Sequence, residues 1–120
     1  MECLFCKIIN KEIPCKSIYE DEIVLAFLDI NPDSPGHTLI IPKKHYKDLT
    51  DIDEDTLNHI LKIAKILKER IENILMCDGV ILVQNNGHVQ EIKHFHLHLK
   101  PYYKNKKNLS IDEVFEKLSL

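Results

Sequence analysis

The distribution of apolar and polar residues along the chain predicts one long helix and a shorter helix near each end. From Leu57 to Leu75 apolar residues recur at steps of three and four, with lysines and glutamates between them. This 3.6-residue period predicts an amphipathic helix that packs on a sheet, with Asp53 as its N-cap. The same spacing predicts a short helix over residues 3–14, closed by a proline, and another over residues 110–119, opened by a capping box.

Shorter apolar runs between turn residues predict the strands. They cover residues 17–20, 22–28, 37–41, 80–84 and 94–99. We expect 80–84 to be a buried strand, and Gly79 to stand near the C′ position that ends the long helix. Together these elements predict an α+β fold with a mostly antiparallel, five-stranded sheet in a single domain spanning residues 1–120.

The stretch at residues 94–99 alternates three histidines with three large apolar residues. Successive side chains of a strand point to opposite faces, so this pattern places the histidines on one face and the apolar residues in a core. The chemistry left open by the pattern is a metal site built from neighbouring imidazoles or a nucleophilic histidine. The residues concerned are His94, His96 and His98 on one face and Phe95, Leu97 and Leu99 on the other, with Pro101 expected to end the strand.

Composition narrows the possible partners. The net charge of -3 gives no general attraction to nucleic acid or to an anionic membrane. No 18-residue apolar run and no signal-peptide pattern occurs, so we expect a soluble, cytoplasmic protein. Arg70 is the only arginine, so an anionic substrate must be held by backbone N–H groups, amides, lysines or histidines.

The four cysteines include one pair with the spacing of a zinc half-site. Cys3 and Cys6 form a Cys-x-x-Cys, and no second such pair follows. Any further ligands for a metal ion would have to be histidines. Cys15 and Cys77 are assigned no role.

Four motifs together resemble the histidine-triad (HIT) family, and specifically its Hint-like branch. The resemblance covers residues 3–101, which we take as the family core, and leaves 102–120 as a C-terminal extension. The motifs are CLFCKII at residues 3–9, FLDINP at 27–32, PGHTLIIPKKH at 35–45 and HFHLHL at 94–99.

The resemblance implies a homodimer that hydrolyses or transfers nucleotidyl groups from purine nucleoside phosphoramidates, adenylylated amines or dinucleotides. His96 would be the nucleophile, forming a nucleotidyl-histidine intermediate. The carbonyl of His94 would fix its tautomer, His98 would hold a phosphate oxygen, and His37 would support the orientation of the nucleophile. No metal ion is expected to take part in the chemical step.

By the same resemblance, Asp29 would accept the ribose hydroxyls, and Asn85 and Gln90 would lie on the phosphate side. The base pocket would consist of Leu4, Phe5, Ile8, Ile13, Phe27 and Ile30. Taken without the family, the apolar members of this set would simply be core residues, and Asp29 and Asn85 would be turn residues.

Some HIT proteins bind a structural zinc ion, and the resemblance implies that Cys3, Cys6, His45 and His94 would hold it here. The loop from Gly87 to Gln90 is shorter than the family pattern. Glu91 follows it where eukaryotic Hint enzymes have a hydroxyl. Two other functions remain open: a metallohydrolase in which the three triad histidines share one metal ion, and a nucleotide-binding regulator with residual activity.

Overall fold

In the computed structural model, residues 3–119 are described and form a five-stranded antiparallel sheet with three α-helices. The sheet order is β1-β2-β3-β5-β4, and each neighbouring pair is antiparallel. The predicted α+β fold is therefore confirmed. The elements are α1 (Leu4–Ile9), β1 (Ser17–Glu20), β2 (Val24–Leu28), β3 (Thr38–Pro42), α2 (Glu54–Leu75), β4 (Gly79–Val83), β5 (Leu97–Tyr102) and α3 (Ile111–Leu118), with a single 3₁₀ turn at Gly87–Val89.

Helix α2 forms where the apolar period predicts it. The Asp53 side chain accepts a hydrogen bond from the Thr56 N–H at its start, as expected of an N-cap. The prediction for its end is wrong: Met76, with φ of 55°, takes the left-handed conformation, and Gly79 is the first residue of β4. Leu75 is the last buried side chain of the helix. The left-handed conformation at Met76 then ends the helix, and the chain continues into β4.

Strand β4 is an edge strand, which corrects the prediction that residues 80–84 are buried. It pairs with β5 alone, so its other side meets no strand among the described residues. Ile81 is 53% exposed and Leu82 is 47% exposed. An apolar run by itself does not distinguish a strand buried in its own chain from an exposed apolar edge.

Strand β5 begins at Leu97 and not at His94. Residues 91–94 before it bend, and the Phe95 N–H donates to the Tyr46 carbonyl and not to a neighbouring strand. The predicted alternation still holds, because Phe95, Leu97 and Leu99 are buried in the main core. Pro101 lies inside β5, where the β3 pairing has already ended, so its missing N–H removes no hydrogen bond to β3.

The two small helices differ in how well they match the prediction. Helix α1 ends at Ile9, well before Pro14, and Lys11 follows with a φ of 65°. Helix α3 has the predicted capping box between Ser110 and Glu113, and it packs back on the chain's own body.

The sheet has two differently covered faces, and this asymmetry creates the site. Helices α2 and α3 cover one face, where most of the buried apolar residues lie. The opposite face carries the smaller cluster of Leu25, Phe27, Leu39 and Ile41, which is covered by α1 and by a few loop residues. A short helix covers only part of a sheet face, which leaves room for a cleft beside it. Among the described residues, no helix is both long enough and apolar enough to cross a membrane.

Candidate functional site

A cleft of about 580 Å³ opens beside α1 on the face that α2 leaves uncovered. Its walls come from α1, the loops after β2 and β4, and the triad segment. The six apolar side chains predicted to form a base pocket all line this one cleft: Leu4, Phe5, Ile8, Ile13, Phe27 and Ile30. Several of them also belong to the smaller core, so the same side chains both pack in the core and line the cleft.

The polar part of the cleft contains Asp29, His37, Asn85, His96 and His98. The structure thus brings together side chains from the loop between β2 and β3, from the loop after β4, and from the triad segment at the start of β5. Such a pocket, apolar with a few convergent polar groups, is the usual form of a small-molecule site.

Gln90 does not line the cleft, contrary to the prediction. It is 2% exposed, and its Nε2 donates to the Lys47 carbonyl at 2.6 Å. Its Oε1 is buried without a hydrogen-bond partner. The amide therefore points inward, towards the segment before α2.

The tautomer of His96 is set by the backbone. Its Nδ1 lies 2.8 Å from the His94 carbonyl oxygen, so Nδ1 carries the proton and donates it. Nε2 then holds a lone pair. Burial lowers the pKa of His96, which keeps the ring neutral. The ring edge of Phe5 packs against it, with centroids 5.1 Å apart.

The tautomer of His98 follows from a chain of two hydrogen bonds. The Asp33 N–H donates to His37 Nδ1 at 3.0 Å, so the neutral His37 ring carries its proton on Nε2. This Nε2–H donates to His98 Nδ1 at 2.9 Å. The neutral His98 ring must then carry its own proton on Nε2. The prediction for His37 needs correction, because its hydrogen bond orients His98 and not the predicted nucleophile.

Burial keeps these two imidazoles neutral. It lowers the pKa of His98 to about 4 and also lowers the pKa of His37. Asp29 Oδ2 lies 3.6 Å from His37 Nε2, and Asp29 Oδ1 accepts the Asn31 N–H at 2.9 Å. Asp29 is therefore both a loop-capping residue and a carboxylate of the cleft.

A second constellation lies beside the cleft and unites Cys3, Cys6, His45 and His94. The nearest ligand atoms are 3.1 Å apart for the two His Nδ1 atoms, and 3.3, 3.4 and 3.6 Å apart for the sulfur–nitrogen pairs. Ligand atoms bound to a tetrahedral zinc ion are separated by ~3.3–3.8 Å. Four of the six ligand-atom pairs are thus spaced much as in an assembled Cys₂His₂ site, and all of them lie within 4.8 Å.

The protonation of this cluster also suits a metal ion. His94 Nε2 donates to the Pro42 carbonyl at 2.8 Å, which directs the Nδ1 lone pair at the cluster. Burial lowers the pKa of His94 to about 4, so its ring stays neutral. Burial, assisted by the neighbouring Cys3, raises the pKa of Cys6 to about 11, so a bound metal ion would displace the thiol proton.

Asp29, His37 and His98 are also close enough together to hold a metal ion. The tautomer chain argues against this use, because His37 Nε2 carries the proton that it donates to His98 and has no lone pair for a metal. The triad histidines do not converge on one point either, since the His94 ring faces the cysteines. This arrangement does not favour the metallohydrolase alternative.

Sequence reasoning missed several cleft residues, above all Lys100 and Asp33. Lys100 stands two residues after His98, so the alternation of the strand places it on the same face as the triad and could have identified it. Cys15, which was assigned no role, also lines the cleft, and burial raises the pKa of its thiol.

The sequence matches the HIT domain family over residues 10–105. An uncharacterized HIT-like protein of Methanocaldococcus jannaschii is 46% identical, over 97% of this chain and 98% of its own length. An adenosine 5′-monophosphoramidase of Saccharomyces cerevisiae is 41% identical, over 91% of this chain and 68% of its own length. An adenylylsulfatase of Arabidopsis thaliana is 39% identical, over 83% of this chain and 52% of its own length.

A solved structure, that of a zinc-bound histidine-triad family protein from Mycobacterium smegmatis, superposes with a TM-score of 0.90. It shares 33% identity over 98% of this chain and 91% of its own. The predicted resemblance is confirmed, and the relatives named for an activity act on adenylyl compounds. This chain belongs to the HIT family.

Proposed function

We propose that this protein is a nucleotide hydrolase or nucleotidyl transferase that acts at the α-phosphorus of a purine nucleotide. Its substrate would be a nucleoside phosphoramidate, an adenylylated amine or a dinucleotide, and the reaction would proceed through a covalent nucleotidyl-His96 intermediate. The observation that carries this proposal is the hydrogen bond from His96 Nδ1 to the His94 carbonyl, which leaves the Nε2 lone pair available for attack.

Substrate binding would use both parts of the cleft. The purine would pack among the apolar side chains beside α1, and the ribose hydroxyls would bind Asp29. The α-phosphate would then lie near His96, where the His98 Nε2–H and the Asn85 amide provide donors. Gln90 is left out of this set because its side chain is buried away from the cleft.

The chemical step would occur as two displacements at phosphorus. His96 Nε2 donates its lone pair to phosphorus, and the bond to the leaving group breaks with its electron pair. A leaving amine must gain a proton. Water then attacks phosphorus and releases a proton to the solvent, which balances the proton that a leaving amine takes up; the phosphorus–nitrogen bond breaks, and its electron pair returns to Nε2.

His98 would assist both displacements. Its Nε2–H, fixed by the chain from Asp33 through His37, would donate to a phosphoryl oxygen. A preorganised donor aimed at developing charge is worth roughly 10²–10³ in rate.

We further propose that Cys3, Cys6, His45 and His94 hold a structural zinc ion. Four protein ligands close a tetrahedral site, so the ion would tie α1 to the triad segment and take no part in the chemistry. The near-tetrahedral spacing of the four ligand atoms and the zinc-bound relative support this.

The zinc proposal is tested by metal content and thermal unfolding of Cys6→Ser and of a matched Cys77→Ser control. We expect about one zinc ion per chain in the parent and the control, and loss of zinc with a lower melting temperature in Cys6→Ser. Equal zinc content in all three proteins would contradict the assigned ligands.

A homodimer is proposed from the exposed edge of the sheet. The outer edge of β4 pairs with no strand of the described residues and presents Ile81 and Leu82, a combination that favours pairing with a second copy. Sedimentation of the parent and of Leu82→Lys tests this, since a charge on the edge should shift the protein towards monomer.

The mechanism is tested by mixing the enzyme with adenosine 5′-phosphoramidate and quenching within milliseconds in alkaline denaturant, which spares the acid-labile phosphorus–nitrogen bond. Intact mass should show an added adenylyl group in the parent and in His88→Ala, an exposed-histidine control. His96→Ala should show no adduct. Turnover without any adduct would refute the covalent route, and binding of AMP without turnover would support the regulator alternative.

A further inference from the structure

Lys100 places a cation inside the cleft, two residues beyond His98 on the same face of β5. The rise of a strand separates the two Cα atoms by about 7 Å. Burial lowers the pKa of both His98 and His37, and Lys100 lowers both further, with a smaller effect than the titratable groups nearest each ring.

The rest of the cleft is poor in positive charge. Among the described residues that line it, Lys100 is the only lysine or arginine, whereas Asp29, Asp33 and Glu91 bring carboxyl groups. Arg70, the one arginine of the chain, donates to the Leu118 carbonyl far from the cleft. A substrate with more than one negative charge would therefore find its counter-charge at Lys100.

The present partner of Lys100 is easily replaced. Lys100 Nζ lies 2.8 Å from Asp33 Oδ2, but the Asp33 side chain is 64% exposed and that of Lys100 only 27% exposed. An exposed carboxylate loses little when it turns to water, because an ion pair with an exposed partner is screened and weak. The ammonium group can thus exchange Asp33 for an anionic group of a ligand.

We infer that Lys100 is a specificity-determining residue that favours substrates whose leaving group is itself an oxyanion, a sulfate or a phosphate, over substrates that release an amine. The inference rests on the proposed attack at the α-phosphorus. A sulfate or phosphate joined through one bridging oxygen lies directly beside the α-phosphoryl group, within the range of a long, flexible side chain.

The two leaving-group classes make different demands. When the bridging P–O bond breaks, the leaving group takes the electron pair and departs as a dianion, which is sulfate in one case and, when the terminal phosphate already carries a proton, hydrogen phosphate in the other. It needs a cation nearby, which Lys100 supplies. A leaving amine needs a proton and carries no negative charge after gaining it, so a cation beside it gives no electrostatic stabilisation.

The test compares kcat/KM for adenylyl sulfate, ADP and adenosine 5′-phosphoramidate in the full-length protein. The variants are Lys100→Met, Lys100→Arg and Asp33→Asn. Lys43→Met is the matched control, because Lys43 is also 27% exposed and paired with a carboxylate, that of Glu20, but lies outside the cleft.

We expect Lys100→Met to lower the ratio of oxyanion to amine substrate by on the order of 10- to 100-fold, as for loss of a charge-assisted contact. Lys100→Arg should retain most of the ratio. Asp33→Asn should raise it by up to about fivefold, because it frees the ammonium group from competition. Lys43→Met should leave it unchanged. The sulfate and ADP arms show which oxyanion is preferred.

A matching fall for all three substrates in Lys100→Met and Asp33→Asn would mean that the ion pair only supports the fold, and would overturn the inference. An unchanged ratio in Lys100→Met would overturn it as well. Failure of the proposed function looks different, because the parent protein would then cleave none of the three substrates, leaving no reaction for Lys100 to bias. Circular dichroism of each variant separates these results from unfolding.

Discussion

Gly36, directly before His37, is expected to be the least replaceable glycine of the chain. Its φ of +94° lies in the region that side chains disfavour. A Cβ at this position would lie 2.5 Å from Leu75 Cδ1 and 3.1 Å from Pro101 Cγ. Leu75 is 1% exposed at the end of α2, so it cannot move aside without disturbing the core.

The cost of Gly36→Ala has two parts. The backbone conformation costs about 1–2 kcal/mol for a residue with a side chain. Overpacking against a buried leucine costs about 1–3 kcal/mol more. The sum is about 2–5 kcal/mol, a large part of the stability of a domain of this size.

The other two glycines separate these parts. Gly87 has a φ of +71° but open space around its missing Cβ, so Gly87→Ala should cost only the backbone part, about 1–2 kcal/mol. Gly79 has neither a positive φ nor a neighbour within 4 Å. Gly79→Ala should therefore change stability by less than about 0.5 kcal/mol.

Urea unfolding of the parent and the three alanine variants measures this order. With a slope of about 1–3 kcal/mol per molar urea, Gly36→Ala should move the midpoint down by on the order of 1–2 M. The reasoning fails if Gly36→Ala has the same urea midpoint as Gly79→Ala, or if the midpoint of Gly87→Ala falls as far as that of Gly36→Ala.

Three further predictions concern single polar groups. Asp21 accepts hydrogen bonds from Tyr19, His59 and two backbone N–H groups, which outweigh the effect of burial and hold its pKa well below its usual range. Asp21→Asn should thus cost about 1–3 kcal/mol at pH 7 in urea unfolding, and this difference should shrink as pH falls below about 3.9, where the unfolded carboxyl gains its proton. Because burial lowers the pKa of His96, whose Nε2 must be unprotonated to attack, the acid limb of kcat/KM should lie below the ordinary histidine value of about 6.5, and a pH–rate profile with its limb at 6.5 or higher would contradict this. Ser110→Ala removes one half of the α3 capping box and should cost about 1 kcal/mol in the same unfolding assay.

The sequence predicted those features that depend on local periodicity. The 3.6-residue period identified α2, and the alternation around His96 correctly separated buried apolar side chains from the histidines. The capping box at Ser110 was likewise recognisable, since both partners lie within one helical turn.

Features that depend on distant partners were not predictable in this way. Whether β4 is central or at an edge depends on the strand order, because the same apolar run suits both positions. The inward turn of Gln90 depends on a carbonyl at Lys47, 43 residues away. The partner of His37 depends on how β3 and β5 align, and this register placed its Nε2 on His98.

The triad illustrates how far similar residues can diverge once folded. Spacing alone presents His94, His96 and His98 as three equivalent imidazoles. In the structure each ring has a different hydrogen-bond partner, namely the Pro42 carbonyl, the His94 carbonyl and His37. These partners leave a lone pair at the cysteines, a lone pair on His96 Nε2 and an N–H on His98 Nε2. The His94 ring belongs to the cysteine cluster, and the His94 carbonyl accepts the hydrogen bond from His96. A shift of His94 caused by a change in the cysteine cluster would therefore also move the hydrogen-bond acceptor of the candidate nucleophile.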